Sequence, residues 1–420
     1  MGVPYRTPEC ALDGREIFFP RGRVIGGSSS INAMMVLRGH RADQAKWGPG
    51  WTWEDVEPAY IKSESAFPRA DLRDRHELTL AFVNAAVAAG LERRDLNGPD
   101  TEGVGFVPVS QRRGRRYSAA DGYLRPARRR RNLEVVTGAE AQRVLIERGR
   151  AYGVAFKRAE TVHAAHVRRE VILCAGAIGS PHLLLRSGVG SADVLAEAHI
   201  ELVHELPDVG RNLQDHLATG ILVATQRVET LYSAESFGNL ARWIVRGRGP
   251  LTSNVAEAAA FLRSSETLPA PDVELIFAPV LFEDEGLSRP SQHGVTIAAV
   301  LLQPRSVGEV RLSSTSDQTV VVDPRYLTDP TGEDIAVLVR GLRRARQIAG
   351  IPPLSDYVRE ELLPRGAAVS DDDLIAHIRE RSQTLYHPVG TCRLGTGGAP
   401  WSMRSYVSTG SRGCESSTPR

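Results

Sequence analysis

The sequence predicts an α/β portion followed by an α+β portion on a mostly antiparallel sheet, and three observations predict it. Between residues 132 and 175, short β-branched segments alternate with turns. The last of them, EVILCAGA, runs straight into CAGAIGSPHLLLRSGVG at 174 to 190, a glycine turn followed by a helix-like stretch. Strand, glycine turn and helix in succession make the unit of a parallel α/β sheet. From about 216 onward the runs GILVATQ, DVELIFAPV, GVTIAAVLLQP and GEVRLSS follow one another with few helices between them, the pattern of an antiparallel sheet.

The opening segment, MGVPYRTPEC, is poor in strand signals, and within about 25 residues the chain reaches RGRVIGGSSSINAMMVLRGH at 21 to 40. A glycine pair lets backbone approach a ligand, and the amides and hydroxyls that follow can donate to phosphate oxygens or a polar ring edge. Glycine and serine also dominate ordinary turns, so the stretch alone leaves both readings open. In WTWEDVEPAYIKSESA, Thr52 is the expected N-cap of a helix, with Asp55 three positions on. HELTLAFVNAAVAAGLE, 76 to 92, is an Ala-rich helix ending near Gly90.

NLEVVTGAEAQRVLIE, AYGVAFKR and TVHAAHVR read as a meander, and the apolar strand at 171 to 175 is expected to be buried on both faces. After it, Ser180 is the expected N-cap, Pro181 the first helical residue and Gly188 the stop. DIAVLVRGLRRARQIAG is a further helix. The tail from about 396, TGGAPWSMRSYVSTGSRGCESSTPR, loses periodicity and reads as disordered.

With 420 residues, 42% hydrophobic and 24% charged, the chain is long enough for a large core and more than one structural unit. Its 52 Lys and Arg against 50 Asp and Glu leave a net charge of +2, so no global field favours nucleic acid or an anionic membrane, and any basic patch is local. The run RRGRRYSAADGYLRPARRRRN, 112 to 132, reads as a solvated basic face, and no nucleic-acid partner is expected. Cys10, Cys174, Cys392 and Cys414 are far apart and form no C-x-x-C pair, which fits a reduced cytoplasmic protein without a disulfide framework or a bound metal. No apolar run approaches the roughly 18 to 20 residues that span a bilayer.

In QTLYHPVGTCRLG, 383 to 395, His387 stands between an aromatic and a proline beside a Gly-Thr-Cys turn. A histidine so fixed suits a general base, its unperturbed pKa being about 6.5. Glu257, in LTSNVAEAAAFLR, is either a carboxylate that attracts a cationic alcohol or a surface group on an apolar helix. No G-x-S-x-G elbow supports a serine hydrolase.

Taken together, these blocks resemble the glucose-methanol-choline (GMC) family of flavoprotein oxidoreductases over residues 15 to 395. GRVIGGSSSIN is similar to its first signature, with Val36 where the signature prefers an aromatic or Ala, and GAIGSPHLLLRSGVG matches the second. DVGRNLQDH, VDPRYLTDP and LYHPVGTCRLG resemble its later blocks. The resemblance implies an FAD-binding Rossmann-like domain over 1–217, an antiparallel-sheet substrate domain over 218–395 with His387 as the active-site base, and an out-of-family tail over 396–420. It carries flavin contacts onto Val24, Gly26, Gly27, Ser28, Asn32, Ala33, Met34 and Met35, an adenine contact onto Ala141, and a cofactor-side position onto Tyr386. Ile31 stands where some members attach flavin through histidine, so FAD is expected to be held non-covalently.

Family members begin with a strand, a G-x-G-x-x-G turn and a helix, and continue past the active-site histidine with a second catalytic His or Asn. Neither is found here, so the chain is expected to be truncated at both ends with its first βαβ unit missing. The leading reading is oxidation of a primary alcohol, choline-like or aliphatic, to the aldehyde, with the electron acceptor open. The alternatives are a non-catalytic fragment unable to hold FAD and, more distantly, a hydroxynitrile lyase.

Overall fold

A seven-stranded antiparallel sheet positions everything that bears on function. The computed structural model describes residues 2–313, 319–366, 369–393 and 414–416. In chain order, a hairpin of β1 (Gly2–Glu9) and β2 (Arg15–Gly22) leads to α1 (Trp53–Ala66), α2 (Glu77–Ala88) and β3 (Gly103–Phe106). The expected meander follows as β4 (Glu140–Glu147), β5 (Arg150–Arg158) and β6 (Thr161–His166), then β7 (Val171–Leu173) and α3 (Gly176–Arg186). The second half supplies β8 (Leu217–Thr225), α4 (Phe237–Arg246), β9 (Ala258–Leu262), β10 (Val273–Ala278) and β11 (Gly294–Leu301). After these come α5 (Glu333–Ala349), β12 (Val358–Leu363), α6 (Asp371–Arg381) and β13 (Gln383–Thr384).

The main sheet runs β12-β8-β11-β10-β9-β3, with β13 also pairing with β8. One register row crosses four strands: Ala218 faces Val300, Val300 faces Glu274, and Glu274 faces Phe261. Helices α2, α5 and α6 cover one face, burying Leu78, Phe82, Leu342 and Ile378 against Leu275, Phe277 and Ile297. Phe82 stacks on Phe277 at 4.8 Å between ring centroids, an aromatic pair that adds to the area buried. On the other face Ala218, Ala256, Ile276 and Val300 pack with Met35, Leu302 and Leu385, residues drawn from two of the blocks singled out above.

The helix ends follow their capping chemistry. Thr52 and Asp55 form the expected capping box of α1, and Ser370 and Asp373 form a second one at α6, each satisfying backbone donors that a helix start leaves open.

Three expectations are corrected. Helix α3 begins at Gly176, not after Ser180; small residues let the helix start directly from the strand, and Pro181 lies inside it. The strand at 171 to 175 is shorter and not buried on both faces, because Ile172 is 53% exposed and Cys414–Ser416 is the only strand paired with β7 among the described residues. That pairing also replaces the disorder expected of the tail at 414–416; the rest of 396–420 lies outside the described residues.

Candidate active site

After β2 the chain turns sharply through Gly26 and Gly27, both at positive φ (92° and 58°). A Cβ on Gly26 would lie 2.4 Å from Ser30 Oγ, so only glycine fits. A Cβ on Gly27 would meet nothing within 4 Å, which leaves that side of the turn open to a ligand. The serines mostly brace the loop: Ser29 Oγ donates to Gly26 O at 2.5 Å and accepts from Ala119 N at 2.9 Å, and Ser30 Oγ donates to Ile25 O at 2.9 Å. Ser28 Oγ accepts from Gly22 N at 3.2 Å and keeps its own proton for another partner.

Asn32 Oδ1 accepts from Met34 N at 3.0 Å and from Arg116 Nη1 at 2.7 Å, and Ala33 O accepts from Asn254 Nδ2 at 3.1 Å. Met34 is held at φ 58° and Val255, next to Asn254, at φ 72°. Such strained non-glycine positions persist where surrounding contacts over-determine them, and they cluster at binding sites. Val24, Ile25 and Ile31 are all exposed, giving the loop a contiguous apolar surface. The open glycine turn, the free Ser28 hydroxyl and this apolar rim fit a flat ring system carrying phosphates. Ala141, at the start of β4, follows Glu140, which pairs with Arg23 at 2.9 Å.

His387 is built by a buried carboxylate. Asp215 Oδ1 accepts from His387 N at 2.8 Å; Oδ2 accepts from Tyr326 Oη at 2.5 Å and from the Thr384 hydroxyl. Tyr386, at φ 67°, donates its N–H to Thr384 Oγ1 at 2.7 Å, and its carbonyl accepts from Arg21 Nη1 at 2.9 Å. Arg21 lies at the end of β2, so this bond joins the strand that leads into the glycine-serine loop to the His387 turn. Beyond His387, Val389 exchanges backbone hydrogen bonds with Gln214 at 3.1 and 2.9 Å. Gly390, at φ 91°, packs so close that a Cβ there would lie 2.1 Å from Asn212 O.

The same turn repairs the helix. Pro181 has no N–H to give the Ala177 carbonyl, and Thr391 Oγ1 donates to that carbonyl instead, at 2.6 Å. Thr391→Val is expected to leave this acceptor unpaired and cost about 1–3 kcal/mol, with Thr391→Ser restoring it. Urea denaturation of the two variants checks this, and equal loss in both would assign the effect to packing.

His387 does not stand alone. Its Nδ1 lies 3.3 Å from Nδ1 of His216, the rings meeting edge to face. Both line an open cleft of roughly 390 Å³ with Gln214, Leu302, Arg305 and Val389. Surrounding protein and the Arg21 guanidinium push His387 down to about 4; burial and the neighbouring His387 push His216 down to about 3. Both shifts favour the neutral imidazole.

Of the expected residues, His387 lines the cleft, Tyr386 is bonded through its carbonyl to Arg21, and Met35 packs with Leu302 and Leu385, whereas Val24, Gly26, Gly27, Ser28, Asn32, Ala33, Met34 and Ala141 are not among the residues that line the cleft. Glu257 is neither a surface group nor on a helix: it is buried just before β9 and accepts from His76 N, Thr79 Oγ1 and Ser253 Oγ. Asp215, His216, Tyr326, Thr391 and Asn254 were not singled out from the sequence. All five lie within the quoted blocks, and for Asp215 and His216 an Asp-His pair opening a buried strand is the signal that points to them.

Family-model comparison identifies GMC oxidoreductase regions at residues 8–218 and 304–403. The chain is 43% identical to an uncharacterized GMC-type oxidoreductase of Mycobacterium tuberculosis, covering 93% of this chain and 78% of that one. It is 37% identical to an alcohol dehydrogenase [acceptor] of Pseudomonas putida (93% and 75% covered) and 35% identical to an oxygen-dependent choline dehydrogenase of Brucella ovis (92% and 74%). The solved structure of a pyridoxine 4-oxidase from Mesorbium loti superposes with a TM-score of 0.83 at 28% identity, covering 94% of this chain and 79% of that one. With family regions matched over residues 8–218 and 304–403 and a 43% identical GMC-type relative covered over 78% of its length, the chain belongs to the GMC oxidoreductase family and is an FAD-dependent oxidoreductase.

Proposed function

We propose that the chain oxidises a primary alcohol to the aldehyde, with His387 as the base and FAD held non-covalently. The observation that carries this reading is His387 itself, its backbone N–H held by Asp215 and its Nδ1 beside that of His216, lining a cleft with Leu302, which packs on the same apolar cluster as Met35. Bound FAD supplies the two-electron sink for the hydride leaving the carbinol carbon.

The chain's own groups handle the proton. Two Nδ1 atoms at 3.3 Å need one hydrogen between them. In this reading His387 Nδ1 is the donor of that shared hydrogen and His216 Nδ1 its acceptor. His387 then carries its proton on Nδ1 and presents a bare Nε2 lone pair to the cleft, the form a general base needs. Val24, Gly26, Gly27, Ser28, Asn32, Ala33, Met34 and Met35 would hold the flavin, and the aliphatic Ile31 offers no atom for a covalent link.

Between the two substrate classes the cleft favours an aliphatic alcohol. Glu257 is consumed by His76, Thr79 and Ser253 and is not available to a cation, while Leu302 and Val389 give the cleft apolar walls. A cytoplasmic location is part of this reading, and the wide spacing of the cysteines, with no C-x-x-C pair, suits a reducing compartment. Among the described residues no helix is long and apolar enough to cross a membrane.

The test is a purified chain assayed with aliphatic alcohols and choline against an artificial acceptor. A yellow protein whose flavin is released on denaturation, and which turns over the aliphatic alcohols faster, is expected. A protein that stays colourless after incubation with FAD would instead support the non-catalytic fragment.

A further inference from the structure

Helix α4 is docked inside out. In its sequence, FGNLARWIVR, the residues Phe237, Leu240, Ala241, Ile244 and Val245 recur at i, i+3, i+4, i+7 and i+8, a single apolar stripe of the kind that normally faces a core. Here no residue of the helix is buried, and Phe237 is 89% and Val245 79% exposed. The polar edge holds the helix instead. Trp243 Nε1 donates to Gly114 O at 2.9 Å, Asn239 Nδ2 to Ala234 O at 3.2 Å, and Arg73 Nη1 to Gly247 O at 3.1 Å. Both ends are set, Ser236 capping the start and Gly247 (φ 59°) closing the end, so the stripe is presented on a well-formed helix.

The surroundings are strongly basic. Residues 237–248 carry Arg242, Arg246 and Arg248 and no acid, and the 111–116 hairpin that receives Trp243 adds Arg112, Arg113 and Arg115, all exposed. Arg115 lies over the Trp243 ring at 4.9 Å. Among the described residues only Arg248 of these six pairs with a carboxylate, Asp74 at 3.0 Å; Glu235, just before the helix, is engaged by Arg289 at 3.5 Å. With a net charge of only +2 on the whole chain, this is a local patch.

We propose that α4 docks the protein onto an anionic lipid surface, its apolar stripe seated at the headgroup boundary and the arginines on the lipid phosphates. An exposed apolar face beside clustered arginines is the composition of an interfacial helix. A second copy of this chain is disfavoured as occupant, because an isologous contact would bring the same arginines against one another. Each arginine near an anionic surface adds about fivefold to partitioning.

The full chain should pellet with vesicles of equal parts phosphatidylcholine and phosphatidylglycerol and remain in the supernatant with pure phosphatidylcholine. Phe237→Ser combined with Val245→Ser should lower binding by about tenfold or more, and Arg242→Gln with Arg246→Gln should lower it comparably. All these side chains are exposed, so thermal melts confirm that the variants stay folded. The proposal is overturned if the wild-type chain ignores anionic vesicles, if the double-serine variant pellets as well as wild type, or if size-exclusion shows a dimer that the serines break while vesicle binding is absent.

Discussion

His387→Ala is expected to slow alcohol oxidation by about 10²- to 10⁴-fold, the range a positioned base contributes, while FAD content and the flavin spectrum stay near wild type. The separation follows from the geometry. The imidazole faces the cleft, whereas the contacts that order its turn run through the His387 backbone N–H to Asp215 and through Tyr386 to Thr384 and Arg21. Alanine keeps those backbone bonds. The loss should fall on kcat with KM little changed, since an interaction made as the proton moves does not stabilise the ground-state complex.

The wild-type pH profile carries a second signature. With His387 held down at about 4, the base stays unprotonated through neutrality, and kcat/KM should fall only well below the ordinary histidine range, with an apparent pKa belonging to the coupled His216–His387 pair. His216→Phe should remove the acceptor that fixes the tautomer and lower kcat, and His216→Asn, which keeps an oxygen at that place, should recover part of it. Full activity in His387→Ala would remove the base assignment, whatever the flavin content.

Much of this was legible because local chemistry and tertiary role coincide. Thr52 and Asp55 cap a helix using only each other, and the strands at 217–225, 273–278 and 294–301 carry their burial in largely apolar runs, interrupted by a few polar residues such as Thr219, Glu274 and Thr296. His387 stands out because an aromatic and a proline fix its backbone. What sequence could not convey are groups defined by a distant partner. His216 meets His387 across 171 positions, and nothing beside either residue encodes the pairing. Pro181 looks like a helix start until Thr391 is seen to supply the missing donor. Glu257 resembles a free carboxylate because two of its three donors, His76 N and Thr79 Oγ1, come from a segment adjacent only in space.

Glu274 gives the largest stability effect. It lies in the central row of the sheet between Val300 and Phe261, on the face that packs against Met35, and its Oε1 has no hydrogen-bond partner. Burial alone pushes the carboxyl from 4.5 up to about 8, so the folded protein holds it protonated at neutral pH. Between those two values the folded state binds a proton that the unfolded chain has released, and the slope of stability with pH is therefore negative. The stability present below 4.5 is lost as pH rises toward about 8 and changes no further above it. A shift of this size corresponds to about 4–5 kcal/mol, a large share of the roughly 5–15 kcal/mol that separates folded from unfolded domains. Glu274→Gln removes the titration while keeping the volume, and should be more stable than wild type by several kcal/mol at pH 8 but by little at pH 5. Urea midpoints for both proteins at the two pH values isolate the effect, because every other titrating group cancels in the difference. A gap between variant and wild type that is the same at pH 5 and pH 8 would mean that the carboxyl finds water or a cation in solution, and the sheet face behind Met35 would then be wet.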